Sequence, residues 1–224
     1  NLHSYLGSPS QALSVVVNIN SNVVISSSNT SGNRTPAFTV GNFPTGSTVI
    51  INNNGYISGG GGFGGSAGYR NGSYFYEPGN GGAGGVGITK GSSRNYDCTI
   101  VNTGTIAGGG GGGAGGPYRY LCPPVRPNIY DSGCGWVNGN TGGQGAGITG
   151  YSRTQGGPPM TFSAYNNNPT PNTSTGGAGG ALGERGANNK VTSGIRVRTG
   201  GAGGKAITGN IEIAVSGTII GVIG

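Results

Sequence analysis

The chain has 224 residues, and glycine and proline together make up about 29% of them, a share typical of low-complexity or disordered proteins. Disorder normally also requires a high net charge, whereas here 8% of the residues are charged and the formal net charge is +7. The glycines do not recur strictly at every third position, which excludes collagen, and no run of 18 apolar residues offers a membrane span. We therefore expect a folded chain, and because it opens at Asn1 we expect it to be a processed or excised piece of a longer protein.

Four segments place apolar residues at alternate positions, reach a bend, and add one more apolar residue. Alternation of β-branched residues with a period of two predicts strands with one buried face and one solvated face. The Asn-Gly, Thr-Gly and Ser-Gly pairs at the bends supply glycines, which adopt positive φ angles at little cost. The apolar series are Val15, Val17, Ile19 and Val23; Val49, Ile51 and Ile57; Cys98, Ile100 and Ile106; and Ile211, Ile213, Val215 and Ile219.

Glycine-rich runs alternate with these segments, at 59–68, 81–89, 107–116, 142–149, 176–186 and 200–208. Three of the runs end in the same Ile-Thr pair, at Ile88, Ile148 and Ile207. Flexible linkers are the ordinary interpretation, but linkers have no reason to recur in a fixed order beside strands. We favour polyglycine type II helices, which have three residues per turn and no internal hydrogen bonds. Packed side by side, such helices would satisfy one another's backbone groups.

Leucine, isoleucine, valine and phenylalanine together supply about 19% of the residues, too few for a conventional core. We therefore predict an all-β protein with little regular secondary structure, in which short stacked strands adjoin a loop-rich bundle of polyglycine type II helices. The expected parts are an N-terminal β-strand scaffold at 1–58, a glycine-helix bundle at 59–208, and a C-terminal strand at 209–224 that returns to the scaffold.

Three variable loops, 69–80, 117–141 and 151–175, hold 11 of the 17 aromatic residues. Tyrosine mixed with arginine, asparagine, serine and glycine is typical of recognition loops, because tyrosine offers a large, stiff, amphipathic contact area. The alternative is that these aromatics only cap the thin scaffold and pack on each other. The candidate receptor-binding residues are Tyr74, Phe75, Tyr76, Tyr118, Arg119, Tyr120, Arg126, Tyr130, Trp136, Tyr151, Arg153, Phe162 and Tyr165.

The cysteines and acids offer little catalytic material. Cys122 and Cys134 lie twelve residues apart in the longest loop, a spacing that favours a disulfide, with two free thiols as the alternative. Cys98 occupies an apolar strand position and is expected to be a buried free thiol. One histidine and five scattered acids provide no metal site or serine motif, so we expect neither an enzyme nor a cofactor.

Two stretches carry a resemblance to a known family. Residues from about 15 to 62, including TPAFTVGNFPTGSTVIINNNGYISGGGG, resemble the glycine-rich receptor-binding regions at the tips of tailed-phage fibres and in host-specificity tail-tip proteins. CTIVNTGTIAGGGGGGAGG also resembles the distal adhesin of T-even phage long tail fibres. The resemblance covers about 15–116 and 176–224, and it implies a polyglycine II sandwich whose hypervariable loops contact the bacterial receptor. Residues 1–14 do not resemble the N-terminal fibre-attachment domain of the T-even adhesins, so from the sequence we do not expect attachment of that kind.

The resemblance implies a non-enzymatic adhesin at the distal tip of a phage tail, acting outside the cell at the host outer membrane. Its expected partners are a bacterial outer-membrane protein or lipopolysaccharide and another tail fibre or tail-tip protein, and nucleic acid is not expected. Arg70, Arg119, Arg126 and Arg153 suit the anionic groups of either receptor. A homotrimer is also expected, with the apolar segment 211–224 as a contact surface.

Four other functions are alternatives to the adhesin. A glycine-rich bacterial surface adhesin or structural protein is one alternative, and an ice-binding protein is another, although long aromatic loops would spoil a flat ice-binding face. Polysaccharide depolymerases exist among tail proteins, so that activity is a third alternative. The sequence pI of about 9.5 suggests a nucleic-acid binder, but Arg-Gly occurs only at Arg185-Gly186.

Overall fold

The computed structural model describes residues 1–27, 35–71, 73–92, 95–117, 119–121, 135–137, 141–147, 176–189 and 197–224. Within these ranges the regular structure is β apart from one short helix, α1 (Leu2–Tyr5), so the all-β prediction is confirmed. The strands are β1 (Ser14–Ile19), β2 (Val24–Ser26), β3 (Phe38–Thr39), β4 (Thr48–Asn53), β5 (Tyr56–Ser58), β6 (Tyr69–Asn71), β7 (Tyr74–Tyr76), β8 (Ile88–Thr89), β9 (Asp97–Ala107), β10 (Arg119–Leu121), β11 (Gly135–Val137), β12 (Ile207–Thr208) and β13 (Glu212–Ile220). No helix in the described part of the chain is long and apolar enough to cross a bilayer.

The largest sheet is parallel and contains the four alternating segments found in the sequence. Strand β1 pairs with β4, β4 with β9, and β9 with β13, while β5 and β2 extend the sheet beyond the bend. The register places Val49 beside both Val15 and Cys98. Equivalent positions before the bend therefore stack directly on one another, so the sequence repeat is also a structural repeat there. After the bend the first copy departs from the prediction, because Ile25 and not Val23 lies beside Ile57.

The last strand follows the repeat only at its two ends. Ile213 pairs with Ile100 and Ile219 pairs with Ile106, as the sequence repeat predicts. Between them the register shifts twice, so that Val215 lies beside Val101. Such irregularities bend a strand and increase its local twist.

Isoleucine columns fill the interior of this stack. Ile51, Ile57, Ile100 and Ile106 are fully buried, as the alternating pattern predicts. Each fully buried isoleucine side chain contributes about 1.5–3 kcal/mol of transfer free energy. These isoleucines belong to one apolar core cluster, whose other members include Phe43 and Tyr96.

One buried asparagine pair links the second and third repeats at the bend. The side-chain amide of Asn53 donates to the side-chain oxygen of Asn102 at 2.7 Å, and both residues are fully buried. The backbone N–H of Gly55 donates to the Asn53 side-chain oxygen at 3.2 Å. Because buried polar groups must be paired, these bonds favour a bend at this point of the chain.

Seven glycine-rich segments, called rods below, form a bundle that continues from the sheet. Six of them make a closed ring around the rod 107–116, because each rod of the ring is hydrogen-bonded through its backbone to the next one. In ring order these six are 59–68, 79–87, 200–206, 184–189, 176–182 and 142–147. The central rod is buried along its length.

The hydrogen bonds of the central rod have a period of three residues. Its N–H groups at 109, 112 and 115 donate to the rod 79–87, those at 110 and 113 to the rod 142–147, and those at 111 and 114 to the rod 184–189. Its carbonyls accept from the other three rods with the same period. A period of three is the one that packed polyglycine type II helices require. The polyglycine II conformation itself stays a prediction, which this pattern supports.

One glycine run differs from its expected course. The run 176–186 was expected to be a single segment, but the chain turns at Leu182 and Gly183, and Gly183 has a positive φ of 67°. The run therefore supplies two antiparallel rods. A left-handed backbone conformation is readily adopted only by glycine, which explains the residue at the turn.

Two rods end at the Ile-Thr pairs that contain Ile88 and Ile207. These pairs are strands of a small parallel sheet. Strands β12 and β8 pair there in register, and β3 joins on the other side of β8. Ile148 lies outside the described residues. The pairs thus mark the place where a rod meets the strand scaffold.

The rods define two ends of the molecule. Rods 59–68 and 107–116 follow directly after β5 and β9 and run in parallel, since donors 59, 62, 65 and 68 reach acceptors 107, 110, 113 and 116. The end that adjoins the strands is called the sheet end below. The opposite end, where Gly68, Gly79, Gly116, Gly142, Gly176, Asn189 and Gly200 lie, is called the loop end.

Candidate functional site

An aromatic hairpin stands at the loop end. Strands β6 and β7 are antiparallel and pair Tyr69 with Tyr76. Their rings stack at a centroid separation of 4.3 Å and an interplanar angle of 6°. Tyr74 is 74% exposed and Phe75 is 47% exposed, and Tyr76 is also exposed. The hairpin therefore presents a set of large apolar side chains to solvent, held together by one stacked pair.

The second variable loop begins and ends beside the first. Strands β10 and β11 form an antiparallel pair that places Arg119 opposite Val137 and Tyr120 opposite Trp136. Strand β11 also lies against β6, so the backbones of the two loops meet. The structure thus brings Tyr120 and Trp136 into register, although the side chains of these two strands are not described.

Other predicted site residues lie outside the described residues. In the second loop these are Tyr118, Arg126, Tyr130 and the cysteines Cys122 and Cys134. In the third loop they are Tyr151, Arg153, Phe162 and Tyr165. Their part in binding and the disulfide stay predictions.

The third variable loop does not have the flanks that were expected for it. From the sequence we predict that each variable loop leaves and re-enters the bundle at the same end, which requires two antiparallel flanking rods. Rods 142–147 and 176–182 instead run in the same direction, because Gly143 donates to Gly177 and Ala146 donates to Gly180. The chain therefore leaves Gly147 at the sheet end and re-enters Gly176 at the loop end, so this prediction is wrong for 151–175.

A further connection at the loop end was missed. The chain leaves the bundle at Asn189 and returns at Val197, and the backbone N–H of Asn189 donates to the carbonyl of Arg198 at 3.2 Å. The signal that was missed is the sequence GALGERG, which interrupts the glycine run 176–186 at the turn around Gly183. Because the turn reverses the chain, the following rod ends at the loop end rather than at the sheet end.

One salt bridge lies beside the hairpin. Arg198 forms a salt bridge of 3.2 Å with Glu77, the residue directly after β7. Among the described residues, no group of three histidine, cysteine or acidic side chains could hold a metal ion. The site therefore offers aromatic surface, amide groups and arginine, which is chemistry suited to recognition.

Cys98 lies far from this site, in the core under the sheet, and is a free thiol as the sequence predicts. Burial raises its pKa to about 11, and the nearby Lys90 ammonium opposes part of that rise. Lys90 is itself buried, donates to the Tyr96 carbonyl at 2.6 Å, and lies over the Tyr96 ring. A protonated, buried thiol is a poor nucleophile, so Cys98 serves packing.

Comparison with known proteins agrees with this arrangement. The family model of the phage tail fibre adhesin Gp38 matches residues 1–224. The chain belongs to the Gp38 family of phage tail fibre adhesins. None of the curated proteins matches it.

A solved structure is similar to this Gp38-family chain. It is the crystal structure of the gp37-gp38 adhesin tip complex of the bacteriophage S16 long tail fiber, with a TM-score of 0.54 and 25% sequence identity. The alignment covers 93% of this chain and 70% of the S16 chain. Family and fold agree with the resemblance found in the sequence, and they identify the chain as a component of a phage tail.

Proposed function

We propose that this Gp38-family chain is the receptor-binding tip of its tail fibre and binds a bacterial outer-membrane protein or lipopolysaccharide without catalysing a reaction. The observation that carries the proposal is the exposed aromatic hairpin 69–76 at the end of a rigid glycine bundle. Tyrosine and tryptophan surfaces supply much of the binding energy at interfaces. Aromatic side chains that merely capped the bundle would be buried, whereas Tyr74 and Phe75 are exposed.

The two adjoining loops form one proposed binding surface. It comprises Tyr74, Phe75 and Tyr76 of the hairpin 69–76 and Arg119, Tyr120 and Trp136 of the second loop, and it is supported by the contact between β6 and β11. We propose that Tyr118, Arg126, Tyr130, Phe162 and Tyr165 belong to the same surface. Tyr151 and Arg153 follow Gly147, which lies at the sheet end, so they stay candidate receptor-binding residues outside this surface. Residues 59–208 would then carry the receptor loops, while 1–58 and 209–224 serve as the scaffold.

The sheet end is the proposed attachment point to the fibre. The S16 relative is a complex of gp38 with gp37, which supports another tail fibre protein as a partner here. Helix α1 lies at the end away from the loops, because His3 donates to the Val40 carbonyl, which follows β3. Its Tyr5 is 86% exposed and Leu6 is also exposed. Attachment there would leave the loop end free to reach the cell surface.

We also propose a homotrimer, whose contact surface is smaller than the whole segment 211–224. Ile211, Ile213 and Ile219 pack against the chain's own core, so they are not available to a second copy. Val215, Val222 and Ile223 are exposed in the same segment and would make the contact. Measurement of the mass in solution at high concentration tests this, and a strictly monomeric particle would contradict the trimer without affecting receptor binding.

The test of the function is adsorption of the purified chain to a panel of host strains that each lack one surface molecule. We expect adsorption to the parent strain and loss of adsorption to one deletion strain. Exchange of residues 117–141 for the corresponding loop of a relative should change which strains are bound while the melting temperature stays constant. Uniform adsorption to every strain, or release of oligosaccharide from host surface glycan, would contradict a non-enzymatic receptor-specific adhesin.

A further inference from the structure

The junction between the aromatic hairpin and the bundle is held by residues 197–200. The carbonyl of Thr199 accepts from the Gly81 N–H at 3.0 Å, and the Thr199 N–H donates to the Asn80 side chain at 3.1 Å. On its other side, the Gly200 N–H donates to the Asn188 side chain at 3.1 Å. The start of the rod 79–87 is thus joined to the end of the rod 184–189 through this one segment.

Asn189 connects the same segment to the central rod. Its side-chain amide donates to the Gly115 carbonyl at 3.1 Å, and its side-chain oxygen accepts from the Arg198 N–H at 2.8 Å. Asn189 is almost completely buried. The backbone of Arg198 therefore has a fixed position relative to the centre of the bundle.

The Arg198 side chain extends this connection to the hairpin. Its Nη2 atom donates to the Glu77 carboxylate at 3.2 Å. Glu77 follows Tyr76 directly, and the rod 79–87 begins two residues later. The salt bridge therefore lies at the hinge between the hairpin and its rod.

The hairpin needs such a support. A two-stranded hairpin is at best marginally stable by itself, and every residue of β7 is exposed, so little buried surface orients it. Its flanks and the neighbouring β11 therefore matter for its orientation. Glu77 is the charged residue at one of those flanks, and Arg198 is its partner.

We propose that Arg198 is a positioning residue for receptor binding: through Glu77 it holds the hairpin 69–76 at a fixed angle to the bundle. The inference rests on the proposed function of the loop end. In this proposal Arg198 raises the affinity of the chain for its receptor without touching the receptor. A partly exposed ion pair contributes little to folding stability, so its loss should change the hairpin angle more than the melting temperature.

Charge exchange tests the proposal. Arg198→Glu and Glu77→Arg should each lower the affinity of the full chain for host cells by about three- to fivefold, while the melting temperature stays within about 2 °C. The double variant Arg198→Glu with Glu77→Arg should recover most of the affinity, because the pair is restored with its charges reversed. Simple attraction to an anionic cell surface predicts instead that the two single variants change affinity in opposite directions.

Lys205→Gln is the matched control. Lys205 is exposed on the rod 200–206, towards the sheet end, and makes no salt bridge within the described residues. It should leave adsorption unchanged. A double variant as weak as the single ones, or single variants that bind like wild type, would overturn the positioning role. Failure of the wild-type chain to adsorb to any host would instead overturn the proposed function itself.

Discussion

The α-carbon of Gly110 lies so close to the carbonyl oxygen of Gly180 that a β-carbon has no room between them. The same relationship holds between Gly113 and Gly177, one turn further along the two rods. The rods approach this closely because their lateral hydrogen bonds, such as that from Gly180 to Gly111 at 2.7 Å, require it. The glycines are therefore a packing requirement, and the cohesion that they allow replaces a wide apolar core.

Side chains added inside the bundle should destabilise it. We expect Gly110→Val and Gly179→Val each to lower the free energy of unfolding by about 3 kcal/mol or more, because the β-carbon of each would overlap backbone atoms of a neighbouring rod. Thermal melts should show a drop of roughly 6–12 °C for a chain of this length.

The control for this prediction is Ala202→Val. Ala202 belongs to the rod 200–206 but is exposed on the outside of the ring. It should melt within about 2 °C of wild type, since surface substitutions usually change stability by less than 0.5 kcal/mol. Two interior variants that melt like this control would show that the runs are linkers rather than packed rods.

The buried asparagine pair should matter far more than the exposed pair next to it. Asn53→Ala removes the donor to Asn102 and the acceptor for the Gly55 N–H, so two buried polar groups lose a partner. We expect a loss of about 2–4 kcal/mol, measured by denaturant unfolding. Asn52→Ala removes a partly exposed bond of 2.8 Å to Asn18 and should cost about 0.5 kcal/mol. Equal losses for the two variants would contradict the role of the buried pair.

Stability should fall at alkaline pH partly through Cys98. Its pKa is raised to about 11 in the folded chain by burial, so between about pH 9 and 11 the folded state binds more protons than the unfolded state. The contribution is fully present below about pH 9 and is lost as the pH rises through that window. Burial also raises the pKa of Tyr96, which adds to the loss at still higher pH.

Cys98→Val tests the contribution of the thiol to this pH dependence. Valine suits position 98, because the residue paired with it in the adjacent strand is Val49. We expect the melting temperature of this variant to decline less between pH 9 and 11 than that of wild type, while the two curves run parallel below pH 8.5. Parallel curves over the whole range would show that the thiol does not titrate differently in the two states.

The strand repeats could be predicted because the apolar residues that alternate in sequence are the ones that stack. Val15, Val49 and Cys98 align in both sequence and structure, since each copy of a parallel repeat meets the next in the same register. The middle of β13 could not be predicted in this way. The first register shift lies between Ile213 and Val215, at Ala214, and an alanine carries no sequence signal for such an irregularity.

The course of the glycine rods was harder to predict, because glycine runs carry no signal for direction. Nothing in the sequence distinguishes the parallel pair 142–147 and 176–182 from an antiparallel one, and only the lateral hydrogen bonds reveal it. The positive φ of Gly183 cannot be predicted from the glycine itself, because every glycine permits it, and the break GALGERG in the run is the one sequence signal for the turn. The missed connection between Asn189 and Val197 follows from that single turn. The aromatic candidates for binding, by contrast, could be predicted from composition, because Tyr74 and Phe75 lie in an aromatic-rich segment between two glycine-rich runs.

The hairpin supplies the most direct test of receptor binding. Tyr74→Ala and Phe75→Ala should each weaken attachment to host cells by at least about 1 kcal/mol, or roughly fivefold, because interface energy concentrates in a few large side chains. Both side chains are largely exposed, so the melting temperature should stay nearly unchanged. We expect the same outcome for Arg119→Ala, Tyr120→Ala and Trp136→Ala, since β11 lies against β6.

Tyr5→Ala is the control that separates a specific site from general stickiness. Tyr5 is even more exposed than Tyr74 but lies in α1, away from the loop end. If the isolated chain adheres through any exposed aromatic, Tyr5→Ala will weaken adsorption as much as Tyr74→Ala. If the loop end binds a receptor, Tyr5→Ala will adsorb like wild type while the hairpin variants do not. If the aromatics only pack the tip, their removal will lower the melting temperature, and residual adsorption will follow the fraction of folded protein. Unchanged adsorption and unchanged melting in all five loop variants would place the receptor contact on the segment 151–175 instead.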